Sequence, residues 1–130
     1  TMKTKISHGQ SIVEFALVLP LFLLIILFLT DIGRAVYIYS NVTHAVREGA
    51  HLGSVQCNPG NILNRVQEMA TFPVAALVDC DSQDEDGLNV VKVEADYVFT
   101  AATPFIDLFF PDNTIFIHAE STMHQEFVYD

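Results

Sequence analysis

The stretch Gly9-Gln10-Ser11-Ile12-Val13-Glu14-Phe15, followed by apolar sequence to Leu29, decides the fold of this chain. From Ser11 to Thr30 there are twenty residues and one charge. As a helix this segment would be about 30 Å long, which is the hydrocarbon thickness of a bilayer. We therefore predict a transmembrane helix with one ionised group, Glu14.

The residues on either side of this helix predict its orientation. Lys3 and Lys5 precede it, and Asp31 and Arg34 follow it. By the positive-inside rule, the N-terminus is cytoplasmic and residues 31–130 lie outside. A cleavable secretory signal is the rival interpretation, but the apolar run is too long and no small-x-small cleavage site follows it.

The remaining position for cleavage is after Gly9, which divides the chain into a leader (1–9), a membrane part (10–30) and an outer domain (31–130). Cleavage would leave Gln10 as a free N-terminus, one helical turn before Glu14. When subunits pack side by side, Glu14 of one could meet the ammonium group of the next. Two charges that are each costly in lipid become tolerable as a pair.

Composition excludes several classes of function. The chain has 130 residues and a net charge of −10, with no basic cluster, which argues against nucleic acid and against anionic lipid headgroups as partners. It contains no Gly-x-Ser-x-Gly sequence and no phosphate-binding glycine loop. We therefore expect neither an enzyme nor a cofactor.

The N-terminal segments resemble a known family. The sequence from Gly9 to Pro20, the motif Asp31-Ile32-Gly33-Arg34-Ala35 and the segment from His44 to Ala50 are similar to TadE-like proteins. These are pilin-related subunits of the Tad (Flp) branch of type IV pili, and Glu14-Phe15 matches the family's acid-aromatic pair. Residues 117–123 resemble the strand that closes the TadE-like domain.

This resemblance implies a function and a set of partners. A membrane prepilin peptidase would cut between Gly9 and Gln10. An assembly ATPase with a polytopic platform would then move the subunit from the membrane into a pilus with other pilin subunits, of the same or another kind. The fibre would be a cell-surface fimbrium of the kind used in cell adhesion, or part of a related secretion apparatus. The sequence leaves open whether the chain is a minor pilin, a pseudopilin or the main fibre subunit.

The segment after the membrane helix predicts a long stem and a second helix. Small or apolar residues recur with helical spacing; they are Ile32, Ala35, Val36, Tyr39, Val42, Ala45, Val46, Gly49, Ala50 and Gly53. We expect the strip Ala45, Gly49 and Gly53 to pack on the protein's own sheet. A turn at residues 57–60 should end the stem, and a short helix over 62–71 should bury Ile62, Leu63, Val66, Met69 and Ala70. Pro20 is either a plain membrane-helix kink or a weak point at which the stem bends.

Two cysteines and an acidic run follow. Cys57 and Cys80 are expected to form one disulfide in an exported domain, the alternative being two buried thiols.

Asp79, Asp81, Asp84 and Asp86 are weak calcium candidates, because their spacing misses the EF-hand pattern. A solvated acidic loop is the preferred interpretation. His44, Glu48 and His51, at i, i+4 and i+7, form either a polar helix face or a metal site.

Two alternating segments predict strands. Val91, Val93, Ala95, Tyr97 and Phe99 share one face, and a run over 114–128 places Ile115, Ile117, Ala119 and Met123 together. We expect an antiparallel pair resting on the stem, hence an α+β, pilin-like fold. The connection over 104–111 is rich in aromatic residues, and either caps the core or presents an apolar patch.

Three hypotheses follow from the sequence. The first is the processed pilin-like assembly subunit. The second is an uncleaved single-pass membrane protein whose outer domain binds a ligand, and the third is a metal-dependent adhesin. Cleavage after Gly9 distinguishes the first from the second.

Overall fold

The computed structural model describes residues 8–103, 112 and 114–126. In this part of the chain two helices precede three strands, and the elements are α1 (His8–Val55), α2 (Pro59–Met69), β1 (Ala75–Gln83), β2 (Asn89–Thr100) and β3 (Thr114–His124). A long apolar N-terminal helix therefore packs on a small antiparallel sheet, which confirms the predicted α+β class. The predicted leader over 1–9, except its last two residues, and the aromatic segment 104–111 lie outside the described residues.

The helix α1 has 48 residues, which gives a length of about 72 Å. It ends at Val55, just before the predicted turn. Asn58 then caps α2, because its side-chain oxygen accepts hydrogen bonds from the amides of Gly60 and Asn61. Pro59 occupies the start of the helix, where a missing N–H has no intrahelical partner to lose. This cap starts α2 three residues before the predicted boundary.

The sheet has the order β1-β2-β3, and both pairings are antiparallel. The predicted pairing of β2 with β3 is confirmed, with Ala95 opposite Ala119 and Phe99 opposite Ile115. The strand β3 ends at His124, before the predicted boundary at residue 128.

The strand β1 was not predicted. The acidic segment that we expected to be a loop contributes Asp79 to Gln83 to this strand, so the described turn contains only residues 84–88. The prediction was wrong because β1 alternates only between exposed and half-buried side chains. Such weak contrast in hydrophobicity gives a poor strand signal.

The core lies between the outer half of α1, the helix α2 and the inner face of the sheet. Its buried side chains include Ile38, Val42, Ala45, Val46, Ala50, Ile62, Val66, Val91, Val93, Ala95, Phe99, Ile117 and Ala119. The prediction that Met69 of α2 points inward was wrong, because this side chain is exposed. In α1 the periodic positions Ile32, Val36 and Tyr39 are exposed, whereas Ile38 is buried in the core.

Two glycines let α1 approach its neighbours closely. A Cβ atom at Gly49 would lie 2.5 Å from Cγ2 of Val66, and one at Gly53 would lie 2.7 Å from Cγ1 of Val91. Both distances are shorter than van der Waals contact. The small-residue strip therefore packs on α2 and on the protein's own sheet, as we predicted.

Candidate functional site

The N-terminal half of α1 projects from the domain as a bare apolar helix. No residue over 9–30 is buried; Leu24 is half-buried and the rest are exposed. The large side chains on this surface include Ile12, Val13, Phe15, Leu17, Val18, Leu21, Phe22, Leu23, Ile25, Ile26, Phe28 and Leu29. The helix is long and apolar enough to cross a membrane. So large an apolar surface needs a lipid or protein environment to cover it.

The predicted processing and assembly residues lie at the free end of this helix. Gly9 and Gln10 are in its first turn, and a Cβ atom added at Gly9 would meet nothing within 4 Å. Phe15 is 66% exposed. Glu14 is also exposed, and none of the basic groups in the described residues pairs with it. The carboxylate thus stands on the outside of an apolar helix, where another chain could reach it.

Pro20 lies inside α1, and the helix continues on both sides of it. Proline has no amide hydrogen, so the carbonyl of Ala16 lacks its usual intrahelical donor. The helix is therefore locally weakened in the middle of the apolar segment.

Asp31 marks the point at which α1 meets the rest of the protein. Its side chain is only 4% exposed. The carboxylate accepts hydrogen bonds from the Ala102 amide at 3.1 Å, from the Thr103 amide at 2.8 Å and from the Thr103 hydroxyl. We call these contacts the Asp31 clasp. They attach the chain just beyond β2 to the first helical residue after the apolar segment.

The electrostatics of the Asp31 clasp favour the ionised carboxylate. Burial raises the pKa of Asp31, but the hydrogen bonds from Thr103 and Ala102 and the positive charge of Arg34 together hold that pKa below its usual range. The guanidinium of Arg34 is 3.6 Å from the carboxylate and lies over the Phe99 ring, 5.3 Å from its centre. From the sequence alone, Asp31 and Arg34 belong only to a motif and a membrane boundary. Ala102, Thr103 and Phe99 follow them in the chain by more than sixty residues, so no local pattern indicated the clasp.

The two cysteines lie at the opposite end of the domain. A disulfide joins Cys57, just after α1, to Cys80 in β1, with 6.0 Å between the Cα atoms. The side-chain amide of Gln125 donates to the Cys80 carbonyl, and the Glu126 amide donates to the Ser54 carbonyl. The disulfide and these two hydrogen bonds therefore connect the end of α1 to the edge strand β1 and to the residues after β3.

The acidic candidates for calcium do not converge. Asp79 accepts hydrogen bonds from the Ser82 hydroxyl at 2.6 Å and from the Asp81 amide, and these lower its pKa. Asp84 accepts from the Glu85 amide in the hairpin turn. Among the described residues, these aspartates do not form a group of three with ligand atoms close enough to share an ion.

The candidate metal face on α1 does not form a metal-binding group either. Glu48 accepts a hydrogen bond of 3.0 Å from Arg65 of α2. His44, Glu48 and His51 line one surface hollow, but their ligand atoms are not close enough together to share an ion. Within the described part of the chain, the side chains that do come close enough are Glu94, His118 and Glu120 on the outer face of the sheet. This group was not predicted from the sequence, because it depends on the register between two strands.

Comparison with known proteins supports the N-terminal resemblance. A family model described as TadE-like protein matches residues 9–51. The match covers the bare half of α1 and most of the half that packs on the sheet, and it confirms the resemblance over those residues. The matched family is one of structural, pilin-like proteins associated with the Tad pilus. No curated protein and no solved structure matches the chain.

Proposed function

From the match of residues 9–51 to the TadE-like family, we propose that this chain is an assembly subunit of a Tad-type type IV pilus. The observation that carries the proposal is the bare apolar half of α1, with Glu14 unpaired among the described residues. A domain is attached to one end of this helix, and among the described residues it buries no side chain over 9–30. The helix is therefore available to pack among copies of itself or among related stems.

Processing would create the partner for Glu14. A prepilin peptidase cutting between Gly9 and Gln10 releases an ammonium group at Gln10, in the same turn of α1 as Gly9. Helical residues four apart lie about 6 Å apart along the axis. A neighbouring stem displaced by about that distance would place its ammonium group beside Glu14 and pair the two charges inside the apolar environment. The ion pair would set the axial register between adjacent subunits.

The proposed location follows from the same division of the chain. Before assembly, residues 10–30 span the cytoplasmic membrane once, the N-terminus is cytoplasmic, and the domain from Asp31 onward is outside. The disulfide between Cys57 and Cys80 supports an outer location, because such bonds persist in oxidising compartments. After assembly the subunit lies in a cell-surface pilus or at its base or tip.

The proposed partners are a prepilin peptidase, the assembly platform with its ATPase, and other pilin subunits. The helix break at Pro20 supports a mechanical role for the stem. A helix that lacks one internal hydrogen bond can unwind there at lower cost when the fibre is stretched.

The first experiment determines the N-terminus of the protein purified from its own host with the Tad machinery present. Intact mass and N-terminal sequencing should show a chain that begins at Gln10. The Gly9→Ala variant should keep the leader, while Ser11→Ala, a change of similar size next to the cut, should be processed normally. A wild-type chain that still carries residues before Gln10 would overturn the proposal and favour an uncleaved single-pass protein with a ligand-binding outer domain.

Assembly is tested separately from processing. Glu14→Gln keeps the size of the side chain but removes its charge, so it should be cleaved and should then fail to enter the pilus fraction. Glu14→Asp retains the charge and should recover part of the assembly. Normal incorporation of Glu14→Gln would refute the proposed charge pair.

A further inference from the structure

The outer face of the sheet brings four ionisable side chains together. In the register of β2 and β3, Glu94 lies opposite Glu120 and Asp96 lies opposite His118. On the inner face of these two strands, Val93, Ala95, Ile117 and Ala119 are buried in the core. Because that inner face packs in the core, β2 and β3 hold the four polar side chains in fixed positions on the solvent-facing side of the sheet.

The imidazole of His118 has one nitrogen engaged and the other directed toward a carboxylate. Its Nδ1 lies 2.7 Å from Oδ1 of Asp96, and its Nε2 lies 3.9 Å from Oε2 of Glu120. When Nδ1–H donates to Asp96, Nε2 presents its lone pair. A histidine that binds a metal through one nitrogen usually donates its other N–H to such a carboxylate, which fixes the tautomer and the ring orientation.

The distances within the group suit one small ion. Ligand atoms of Glu94, His118 and Glu120 all lie within 4.8 Å of one another. Zinc binds histidine nitrogen and carboxylate oxygen at about 2.0–2.2 Å, so modest side-chain rotations would bring all three atoms to one ion. These side chains are exposed or half-buried, and their rotation disturbs no core packing.

The charges of the group favour a divalent cation. Two glutamates directly opposite each other on adjacent strands repel. The ammonium group of Lys92 contacts both glutamates. It forms an ion pair with Glu94, and its Nζ lies 3.4 Å from Oε2 of Glu120. With His118 neutral, the carboxylates of Glu94, Asp96 and Glu120 carry a charge of −3, and the Lys92 ammonium offsets only one of these charges. A divalent ion in its place would offset two.

We propose that Glu94, His118 and Glu120 bind one divalent transition-metal ion of the zinc type on the outer face of the sheet, with Asp96 positioning the imidazole. One nitrogen and two oxygen ligands leave a coordination position open to solvent, as in open zinc sites. Calcium is a poorer fit because it takes six to eight oxygen ligands. Lys92 is the competitor, since its ammonium group contacts the same two carboxylates and must leave them when the metal binds. This site is independent of the proposed role in the pilus.

The test is calorimetric titration of Zn²⁺ into the full chain in detergent micelles, after chelator treatment and removal of the chelator. We expect one ion bound per chain. His118→Gln and Glu120→Gln should each weaken binding at least about tenfold, and Asp96→Asn should weaken it about 10- to 100-fold. Lys92→Ala should bind Zn²⁺ more tightly than wild type, because the competing cation is gone.

The control variant is His124→Gln. His124 is on the same face of β3, with Nε2 3.7 Å from Oδ2 of Asp84, and it is outside the proposed site. Its affinity for Zn²⁺ should equal that of wild type. Ca²⁺ at the same concentrations should give no comparable binding.

A measurement on the wild-type protein keeps the proposal testable if a variant fails to fold. In side-chain ¹⁵N spectra, Zn²⁺ should shift Nε2 of His118 and leave Nδ1 protonated, and Asp96→Glu should retain this signature where Asp96→Asn loses it. The proposal is wrong if wild type binds no stoichiometric Zn²⁺, if folded His118→Gln binds it equally well, or if folded Lys92→Ala binds it no more tightly.

Discussion

The carboxylate of Asp31 accepts hydrogen bonds from both the amide and the hydroxyl of Thr103, although 72 residues separate them in the chain. Asp31 is the first residue after the apolar segment of α1, and Thr103 follows the last strand residue of β2 by three positions. Together with the Ala102 amide, this contact fixes where the long helix leaves the domain. The bare and packed halves of α1 therefore meet at a residue that is hydrogen-bonded to the outer domain.

The first prediction concerns the strength of the Asp31 clasp. Asp31→Ala leaves the buried amide of Thr103 and its hydroxyl without their acceptor, so we expect the free energy of unfolding to fall by about 1–3 kcal/mol. Denaturation of the full chain in micelles, followed by circular dichroism, measures this. Asp81→Ala, at an exposed position, should change stability by less than about 0.5 kcal/mol. Equal effects of the two substitutions would show that the clasp adds nothing.

The second prediction concerns pH. The pKa of Asp31 is lowered on folding, so its contribution to stability is complete above its ordinary pKa of 3.8 and is lost as the pH falls through the lower, folded value. The difference in melting temperature between wild type and Asp31→Asn should therefore be constant near neutral pH and should shrink below about pH 4. The comparison with Asp31→Asn removes the contributions that the other carboxylates make to both proteins. A gap that stays constant down to pH 2 would contradict the shift.

The third prediction concerns the close approach of α1 to its neighbours. In Gly49→Ala, the new methyl group would overlap Val66 and push α1 away from α2, so we expect a loss of about 1–3 kcal/mol in the free energy of unfolding. Gly33→Ala is the matched control, because a Cβ atom there meets nothing within 4 Å. Alanine also favours a helix over glycine, by about 1 kcal/mol. The control should therefore melt at or above the wild-type temperature, and the prediction fails if both variants behave alike.

The fourth prediction concerns the disulfide. The bond between Cys57 and Cys80 closes a segment with a sequence separation of 23 residues. In the chain-entropy model, a loop of this size stabilises the fold by about 3 kcal/mol. The double variant Cys57→Ser/Cys80→Ser should be destabilised by that amount, and a reducing agent should destabilise wild type but not the variant. Ellman's reagent should find no free thiol in the unreduced protein, and two reactive thiols would refute the assignment.

Local patterns predicted much of the molecule because each depends on residues close in sequence. The membrane-length helix, the isolated charge of Glu14 and the inward faces of β2 and β3 are all properties of single elements. The same reasoning failed for β1, whose inner face is only half-buried, and for Met69 of α2, which was expected to point inward but is exposed.

By itself, the sequence determined that an apolar helix with one carboxylate joins an acidic α+β domain, since hydrophobicity and period are written along the chain. Only the tertiary structure decided that Asp31 meets Thr103, that Gly49 lies against Val66 and that His118 and Glu120 come within reach of Glu94. Each of these contacts joins residues on different elements. They depend on strand register and on which side of α1 the sheet covers, and these are set by the packing of the whole core rather than by any short stretch of sequence.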